Sequence, residues 1–268
     1  MYDTITSLEN LYGAWMEFVG GKKYKKDVAL FALNLSKNIF QLHEDLKNKT
    51  YQHSEYTSFQ ITDPKPRDIH KSSVRDRLLH HAIYRVLYPY FDKLFIFDSY
   101  SCRLGKGTHK ANERYKYFAR KVSKNSTRTC WILKCDIRKF FANIDHEILM
   151  HVLEKHITDK DTVWLLGRVV ESFNTKGRID VGLPLGNLTS QLLVNIYMNE
   201  FDQFVKHLLR EKYYIRYADD FVFMSDNKNH LENLIPKISG FLEVNLKLNL
   251  HPDKLFIKTL SSGLDFLG

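Results

Sequence analysis

The chain has 268 residues, 44% of them hydrophobic, enough for a substantial core in one large domain or two closely packed smaller ones. Its net charge of +9 fits a polyanionic partner. No apolar run reaches membrane-spanning length, the first ten residues lack the pattern of a signal peptide, and the three cysteines (Cys102, Cys130, Cys135) form no C-x-x-C pair, which argues against a membrane protein, a disulfide framework and a structural zinc site. The cysteines are expected as small buried hydrophobes in a reducing compartment, which points to the cytoplasm.

Basic residues cluster at Lys22-Lys23-Tyr24-Lys25-Lys26, at Lys65-Pro66-Arg67, and over residues 71–77 and 114–124. Tyr24, Tyr115, Tyr117 and Phe118 lie among them, an arrangement suited to stacking on unpaired bases as well as phosphate contact. A solvated basic surface or attraction to anionic lipid would share the charge, but no lipidation motif accompanies it.

In chain order, residues 28–46 carry apolar side chains at three- and four-residue spacing and predict a helix, ending before Lys47-Asn48-Lys49-Thr50. Residues 51–62, aromatic and β-branched, predict a strand or hairpin closed by Pro64 and Pro66. Residues 75–94 return to helical period, with Leu78, Leu79, Ala82, Ile83, Val86 and Leu87 on one face. Arg75 and Arg77 at its start oppose the helix dipole, which suggests phosphate contact; two ordinary surface arginines remain the alternative. Residues 98–108 form a basic loop in which Gly105 and Gly107 allow close backbone approach while Arg103 and Lys106 supply charge. A helix is predicted over about 109–122.

Trp131-Ile132-Leu133-Lys134-Cys135-Asp136-Ile137 reads as an apolar strand with a carboxylate near its far end, and a buried strand rarely tolerates an unpaired aspartate. Asp145 stands where an N-cap belongs, before a helix over 146–156, and a further helix is predicted over 161–173. The loop Leu183-Pro184-Leu185-Gly186-Asn187-Leu188-Thr189-Ser190-Gln191 leads into a helix over 192–209, with Thr189 or Ser190 as cap and free N–H groups that favour an anionic ligand. Residues 213–217 and 221–224 predict two strands of a hairpin. A helix over about 230–242 and two strands, 246–250 and 255–260 around a turn at 251–254, complete an α+β layer architecture.

Asp219 and Asp220 sit between the hairpin strands. Adjacent carboxylates raise each other's pKa, a cost that a divalent cation reverses. Mg²⁺ prefers hard oxygen ligands, and two such ions about 4 Å apart clamp the attacking and leaving oxygens of a phosphoryl transfer. An acidic turn would have the same two residues, but would need no hydrophobic support on both sides. Asp136 is assigned to metal and Asp145 to capping.

These pieces, in this order, resemble a reverse transcriptase of the bacterial group II intron-like branch. Cys135-Asp136-Ile137-Arg138-Lys139-Phe140-Phe141 resembles the first catalytic motif of the palm, the loop 183–191 the second, and Tyr217-Ala218-Asp219-Asp220 the third. Residues 249–254 resemble the fourth motif, with its lysine, and Gly263-Leu264-Asp265-Phe266-Leu267-Gly268 the primer grip. Upstream, Lys65-Pro66-Arg67, Arg75-Asp76-Arg77 and Ser101-Cys102-Arg103-Leu104-Gly105 match finger motifs. The second motif lacks the Gln-Gly start and Ser-Pro end usual in group II intron enzymes; its Gly186-x-x-x-Ser190-Gln191 form is similar to reverse transcriptases of diversity-generating retroelements. Ala218 departs from that pattern, where Val is often found.

The resemblance implies a right-hand polymerase fold, with an N-terminal extension and fingers over 1–130 and a palm over 131–268. The chain ends at the grip motif, so the thumb is expected to be absent or truncated. The implied activity is RNA-directed DNA polymerisation by two-metal nucleotidyl transfer, error-prone if the retroelement likeness holds. Asp136, Asp219 and Asp220, with the Ile137 carbonyl, are the implied ligands of two Mg²⁺ ions, for which Mn²⁺ substitutes. Lys254 is the implied proton donor to pyrophosphate, and Phe141 the steric gate beneath the sugar, with Phe140 as core. Arg67, Arg75, Gly186 and Gln191 are implied at the nucleotide; Arg103, Lys106, Tyr217, Leu267 and Gly268 at template and primer. Implied partners are an RNA template, a DNA or RNA primer, dNTPs and a small basic accessory protein. Alternatives are an antiphage or other group II intron-like reverse transcriptase, a nucleotide cyclase with the same two-metal chemistry, and a non-catalytic nucleic-acid-binding relative.

Overall fold

The computed structural model describes residues 1–62, 66–263, 266 and 267. Pro64, Lys65 and Gly268, named above, lie outside the described residues, as do Leu264 and Asp265 of the grip motif. The chain runs α1 (Tyr2–Thr6), α2 (Leu8–Val19), α3 (Lys26–Leu33), α4 (Leu35–Lys47), β1 (Thr57–Ile61), β2 (Arg67–Lys71) and α5 (Val74–Phe91). It continues with α6 (Thr108–Val122), β3 (Trp131–Asp136), α7 (His146–His156), α8 (Lys160–Glu171) and α9 (Leu188–Gln203). Then follow β4 (Tyr214–Tyr217), β5 (Asp220–Ser225), α10 (Lys228–Leu246) and β6 (Phe256–Thr259).

Two compact units result, each discontinuous in sequence: residues 1–93 with 146–193, and 94–145 with 194–268. The expected cut at 130/131 is a division by role, whereas the chain changes unit three times.

In the first unit α2 lies along α5, and β1 pairs with β2 as an antiparallel hairpin from Thr57↔Lys71 to Ile61↔Arg67. α5 starts where Ser73 caps it, its hydroxyl oxygen accepting from the Asp76 N–H at 3.2 Å. The Asp76 carboxylate is fully buried and satisfied by the Tyr51 hydroxyl at 2.8 Å, the Ser73 hydroxyl at 2.6 Å and the Ser54 N–H at 3.2 Å. Burial alone would raise its pKa, but His53 and these donors bring it below the usual carboxylate value. The helix expected over 28–46 is broken at Asn34, which leaves helical geometry between α3 and α4; asparagine competes for backbone hydrogen bonds and favours helix ends.

The second unit is built on an antiparallel sheet in the order β4-β5-β3-β6. Period-two alternation divides its side chains. Ile132, Ile215, Val222 and Met224 meet α6 through Phe118, Ala119 and Val122. Phe221, Phe223 and Tyr214 face the other way into an aromatic cluster with Phe201, where Phe201 and Phe221 lie 5.1 Å apart and Tyr214 stacks on Phe223 at 4.8 Å. Such pairs add about 0.5–1.5 kcal/mol each beyond the area they bury.

α9 begins at Leu188, not 192, so Thr189 and Ser190 lie inside the helix and are buried rather than capping it. α8 begins at Lys160, with the Asp159 carboxylate accepting from the N–H groups of Asp161 and Thr162. The strand expected over 246–250 is not formed: α10 runs to Leu246, and Lys247 ends it in a left-handed conformation. Leu250 makes a single bridge to Ile137, and β6 alone supplies the last strand. Cys130 and Cys135 are buried, but Cys102 is exposed. Among the described residues, no helix is long and apolar enough to cross a membrane.

Candidate active site

β3 ends on Asp136 and β5 begins on Asp220, and the antiparallel register pairs them directly. Cross-strand neighbours have Cβ atoms about 5 Å apart, so the two carboxylates leave one face of the sheet side by side. Tyr217 pairs with Asp220, which leaves Ala218 and Asp219 as a two-residue turn. Such turns need a positive φ, and Ala218 supplies it at +56° although it is not glycine.

The turn is held from inside. Arg216 is fully buried; its Nη1 donates to the Ala218 carbonyl at 3.1 Å, while Nε and Nη2 grip the two oxygens of Asp202 at 2.8 and 2.6 Å. Ser99 and Asn195 accept from the remaining N–H groups at 3.1 and 3.3 Å, and the Tyr214 hydroxyl donates to Asp202 at 2.7 Å. Neither Arg216 nor Asp202 stands out as a site residue in the sequence motifs. The signal was an arginine inside an apolar strand, since a buried charge demands an opposite one.

Burial first, and then the Asp136 charge, push the Asp219 carboxyl up to about 6. Burial likewise raises Asp220, against the opposing pull of Lys134. The Lys134 ammonium meets Asp220 Oδ2 at 3.0 Å, and Lys254 donates to Asp136 Oδ2 at 2.8 Å. The sequence singled out Lys254 but not Lys134. Backbone bonds fix the surroundings: the Ile137 N–H donates to the Asp219 carbonyl at 3.2 Å and the His251 N–H to the Asp136 carbonyl at 2.8 Å.

The other Asp220 oxygen, Oδ1, is buried with no hydrogen-bond partner. Among the described residues no three His, Cys, Asp or Glu side chains converge as a ready cation cage. Instead two ammonium groups offset part of the charge of a three-carboxylate set that keeps one acceptor unused. Desolvated hard oxygens, one of them unsatisfied, fit the preference of Mg²⁺ for carboxylates completed by substrate phosphates and water.

Beyond β3, Phe140 is buried and Phe141 half-buried, their rings edge-to-face at 5.6 Å. Tyr217 and Leu267 pack against the α6 cluster beside Phe266. Arg103 points into its own loop, donating to the carbonyls of Ile96 and Ser99 at 2.7 and 3.0 Å, and Lys106 donates to the Phe97 carbonyl at 2.8 Å.

In the other unit, Gly186 has φ +108°, and a Cβ there would stand 3.2 Å from Ile69. Gln191 lies in the first turn of α9, its N–H reaching the Asn187 carbonyl at 3.4 Å. Both residues line a hollow of about 400 Å³ with Lys22, Lys71 and Arg77. Arg67 is exposed at the start of β2. Arg75 is bound to Asp45 at 2.6 Å and Arg77 to Asp27 at 2.5 Å. Their charges serve these ion pairs, which explains cations at a helix start without a phosphate.

Residues 61–268 match the family described as reverse transcriptase (RNA-dependent DNA polymerase). Protein YkfC of Escherichia coli is 29% identical over 244 residues, 76% of this chain and 62% of that protein. The group II intron-encoded protein LtrA of Lactococcus lactis is 24% identical over 63% of this chain and 28% of its own length. The chain thus spans less than two thirds of these relatives. In architecture it is similar to a telomerase from Candida tropicalis solved with a fragment of telomeric RNA, at a TM-score of 0.60 and 14% identity, over 85% of this chain and 46% of that one.

Proposed function

Because this chain belongs to the reverse transcriptase family, whose match covers residues 61–268, we propose that it polymerises DNA on an RNA template, extending a DNA or RNA primer with dNTPs. The observation that carries the reading is the direct pairing of Asp136 with Asp220, beside Asp219 on its braced turn, with one buried carboxylate oxygen unsatisfied.

Asp136, Asp219, Asp220 and the Ile137 carbonyl are the groups to hold two Mg²⁺ ions, or Mn²⁺ in their place. When bound, the metal supplies activation of the primer hydroxyl and neutralises charge on the departing pyrophosphate. Lys134 and Lys254 set positive charge against the Asp220 and Asp136 carboxylates, at 3.0 and 2.8 Å. Lys254, an ammonium already poised there, is the donor of a proton to the leaving pyrophosphate. Phe141 closes the space beneath the sugar and excludes a 2′-hydroxyl. Residues 1–130 act as fingers and 131–268 as palm. Arg67, exposed, contacts triphosphate or template phosphate, and Gly186 and Gln191 line the template and nucleotide platform. Tyr217, Leu267 and Gly268 support the primer end.

The Gly186-x-x-x-Ser190-Gln191 motif favours the error-prone branch of diversity-generating retroelements, in which a small basic accessory protein takes part; the chain is assigned to the cytoplasm. Incubation with poly(rA)/oligo(dT) and dTTP, in parallel with NTPs alone, tests the reading. Mg²⁺-dependent extension of the primer supports it. Product from NTPs alone, without extension, would make the chain a cyclase-type enzyme instead.

A further inference from the structure

The outer side of α6 carries a basic and aromatic groove that the proposed chemistry leaves unused. Two hollows of about 470 and 260 Å³ lie along it and share Arg114 and Tyr117 in their walls, so together they form one track. Lys106 and Lys110 stand at one end, and Lys121 and Lys212 at the other. Glu113 is the single acid among the described lining residues.

Aromatic rings are interleaved with these charges. Phe97 is 66% exposed and Tyr117 47%, although both are large and apolar-faced. The Arg114 guanidinium lies 5.2 Å from each ring centre. It does not wander: Nε is bonded at 2.7 Å to the buried carboxylate of Asp98, whose backbone carbonyl in turn accepts from the Arg216 N–H at 3.0 Å. With its charge met by Asp98, Arg114 fixes the flanking rings, while Lys110, Lys121 and Lys212 supply phosphate partners beside the exposed face of Tyr117. At the Lys106 end, Gly105 and Gly107 adopt φ +70° and +115°, with open space where side chains would stand.

From Lys110 to Lys121, α6 rises about 16 Å at about 1.5 Å per residue, room for roughly three to five nucleotides. Double helices bury their base faces, so rings along the track would be of use only to unpaired bases. Lipid headgroups would engage the charges but not the rings.

We propose that the α6 groove is a second nucleic-acid track, separate from the paired carboxylates, that holds single-stranded RNA. The choice of RNA over other unpaired strands rests on the function proposed above; the groove itself does not.

The full chain is titrated with fluorescent oligo(rU), oligo(dT) and inorganic polyphosphate, as wild type, as Tyr117→Ala, and as the double variant Lys121→Glu/Lys212→Glu. Tyr117→Ala should weaken oligo(rU) binding at least about fivefold, since stacking on one base is worth that much or more, and leave polyphosphate unchanged. The double variant should lower the slope of log affinity against log salt by about 1.4, the share of two phosphates on a single strand. Extension of poly(rA)/oligo(dT) should persist in both, because none of these residues belongs to the carboxylate site. Unchanged oligo(rU) affinity in both variants would overturn the track, as would an equal loss for polyphosphate in Tyr117→Ala. Oligo(dT) binding as tight as oligo(rU) would overturn the assignment to RNA. A chain that extends no primer yet loses oligo(rU) through Tyr117 would refute the polymerase reading and leave the groove standing.

Discussion

Arg216 ties the turn that carries Asp219 to α9: it holds the Ala218 carbonyl at 3.1 Å while gripping both oxygens of Asp202. Removing one member of a buried ion pair costs about 3–5 kcal/mol, because the other is left uncompensated. Asp202→Ala should therefore lower unfolding stability by about that amount in denaturant titration. Arg216→Lys keeps the charge but loses the planar fork. It should fold, with kcat for dNTP incorporation reduced at least tenfold and KM for dTTP little changed, as expected when a positioning residue is lost. Equal kcat in Arg216→Lys would reduce the brace to a feature of folding alone.

Phe141 is half-buried over a fully packed Phe140. Phe141→Ala should open the sugar site, and the ratio of dNTP to rNTP incorporation should fall by about 5- to 150-fold, since a buried clash is worth about 1–3 kcal/mol. Competition between dTTP and UTP on one template measures it. An unchanged ratio would make Phe141 core packing.

Gln191 contributes one long backbone hydrogen bond, 3.4 Å to the Asn187 carbonyl. Proline here loses only that one long bond and stiffens the backbone. Gln191→Pro should thus keep the fold and reduce misincorporation, chiefly at template adenines. Sequencing cDNA made from a defined RNA decides it; equal error rates at all four bases in the wild type would remove the retroelement subgroup.

His80 is buried between Thr189, at 2.7 Å from Nδ1, and His53, at 3.2 Å from Nε2. Burial first and the His53 charge next push its pKa down to about 3, against the pull of Asp76, and burial with Lys22 and Arg77 takes His81 to about 4. A depressed histidine contributes stability above its unfolded pKa of about 6.5, which is lost as pH falls toward the folded value. Each such group steepens the loss by about 1.4 kcal/mol per pH unit. Urea midpoints should drop between pH 7 and pH 5, and His80→Gln should flatten the decline. A midpoint independent of pH would contradict the buried, neutral imidazole.

The paired acids were legible because they break the rule for their surroundings: an aspartate ending the apolar β3, and two more between aromatic strands. The brace behind them was harder to read. Arg216 and Asp202 are separated in sequence, lie on different elements, and meet only once β4 packs on α9. The same holds for Lys134, whose alternation placed it on the sheet without revealing Asp220 as its partner. Leu246, Leu248 and Leu250 satisfy a strand period, but the first ends α10 and only the last bridges to Ile137. The start of α9 was misplaced because Thr189 and Ser190 have cap chemistry, whereas the Thr189 hydroxyl is engaged with His80.

The most direct test compares the wild-type chain with Asp219→Asn in Mg²⁺-dependent dTTP incorporation on poly(rA)/oligo(dT), with thermal unfolding of both proteins as the control. Loss of one carboxylate should leave the fold intact, and relieving a buried charge at Asp219 should hold the melting temperature at or above the wild-type value. Incorporation should fall by at least about a thousandfold, since the electrostatic help of a bound ion is worth several kcal/mol. Near-normal incorporation by Asp219→Asn would contradict the account of the site.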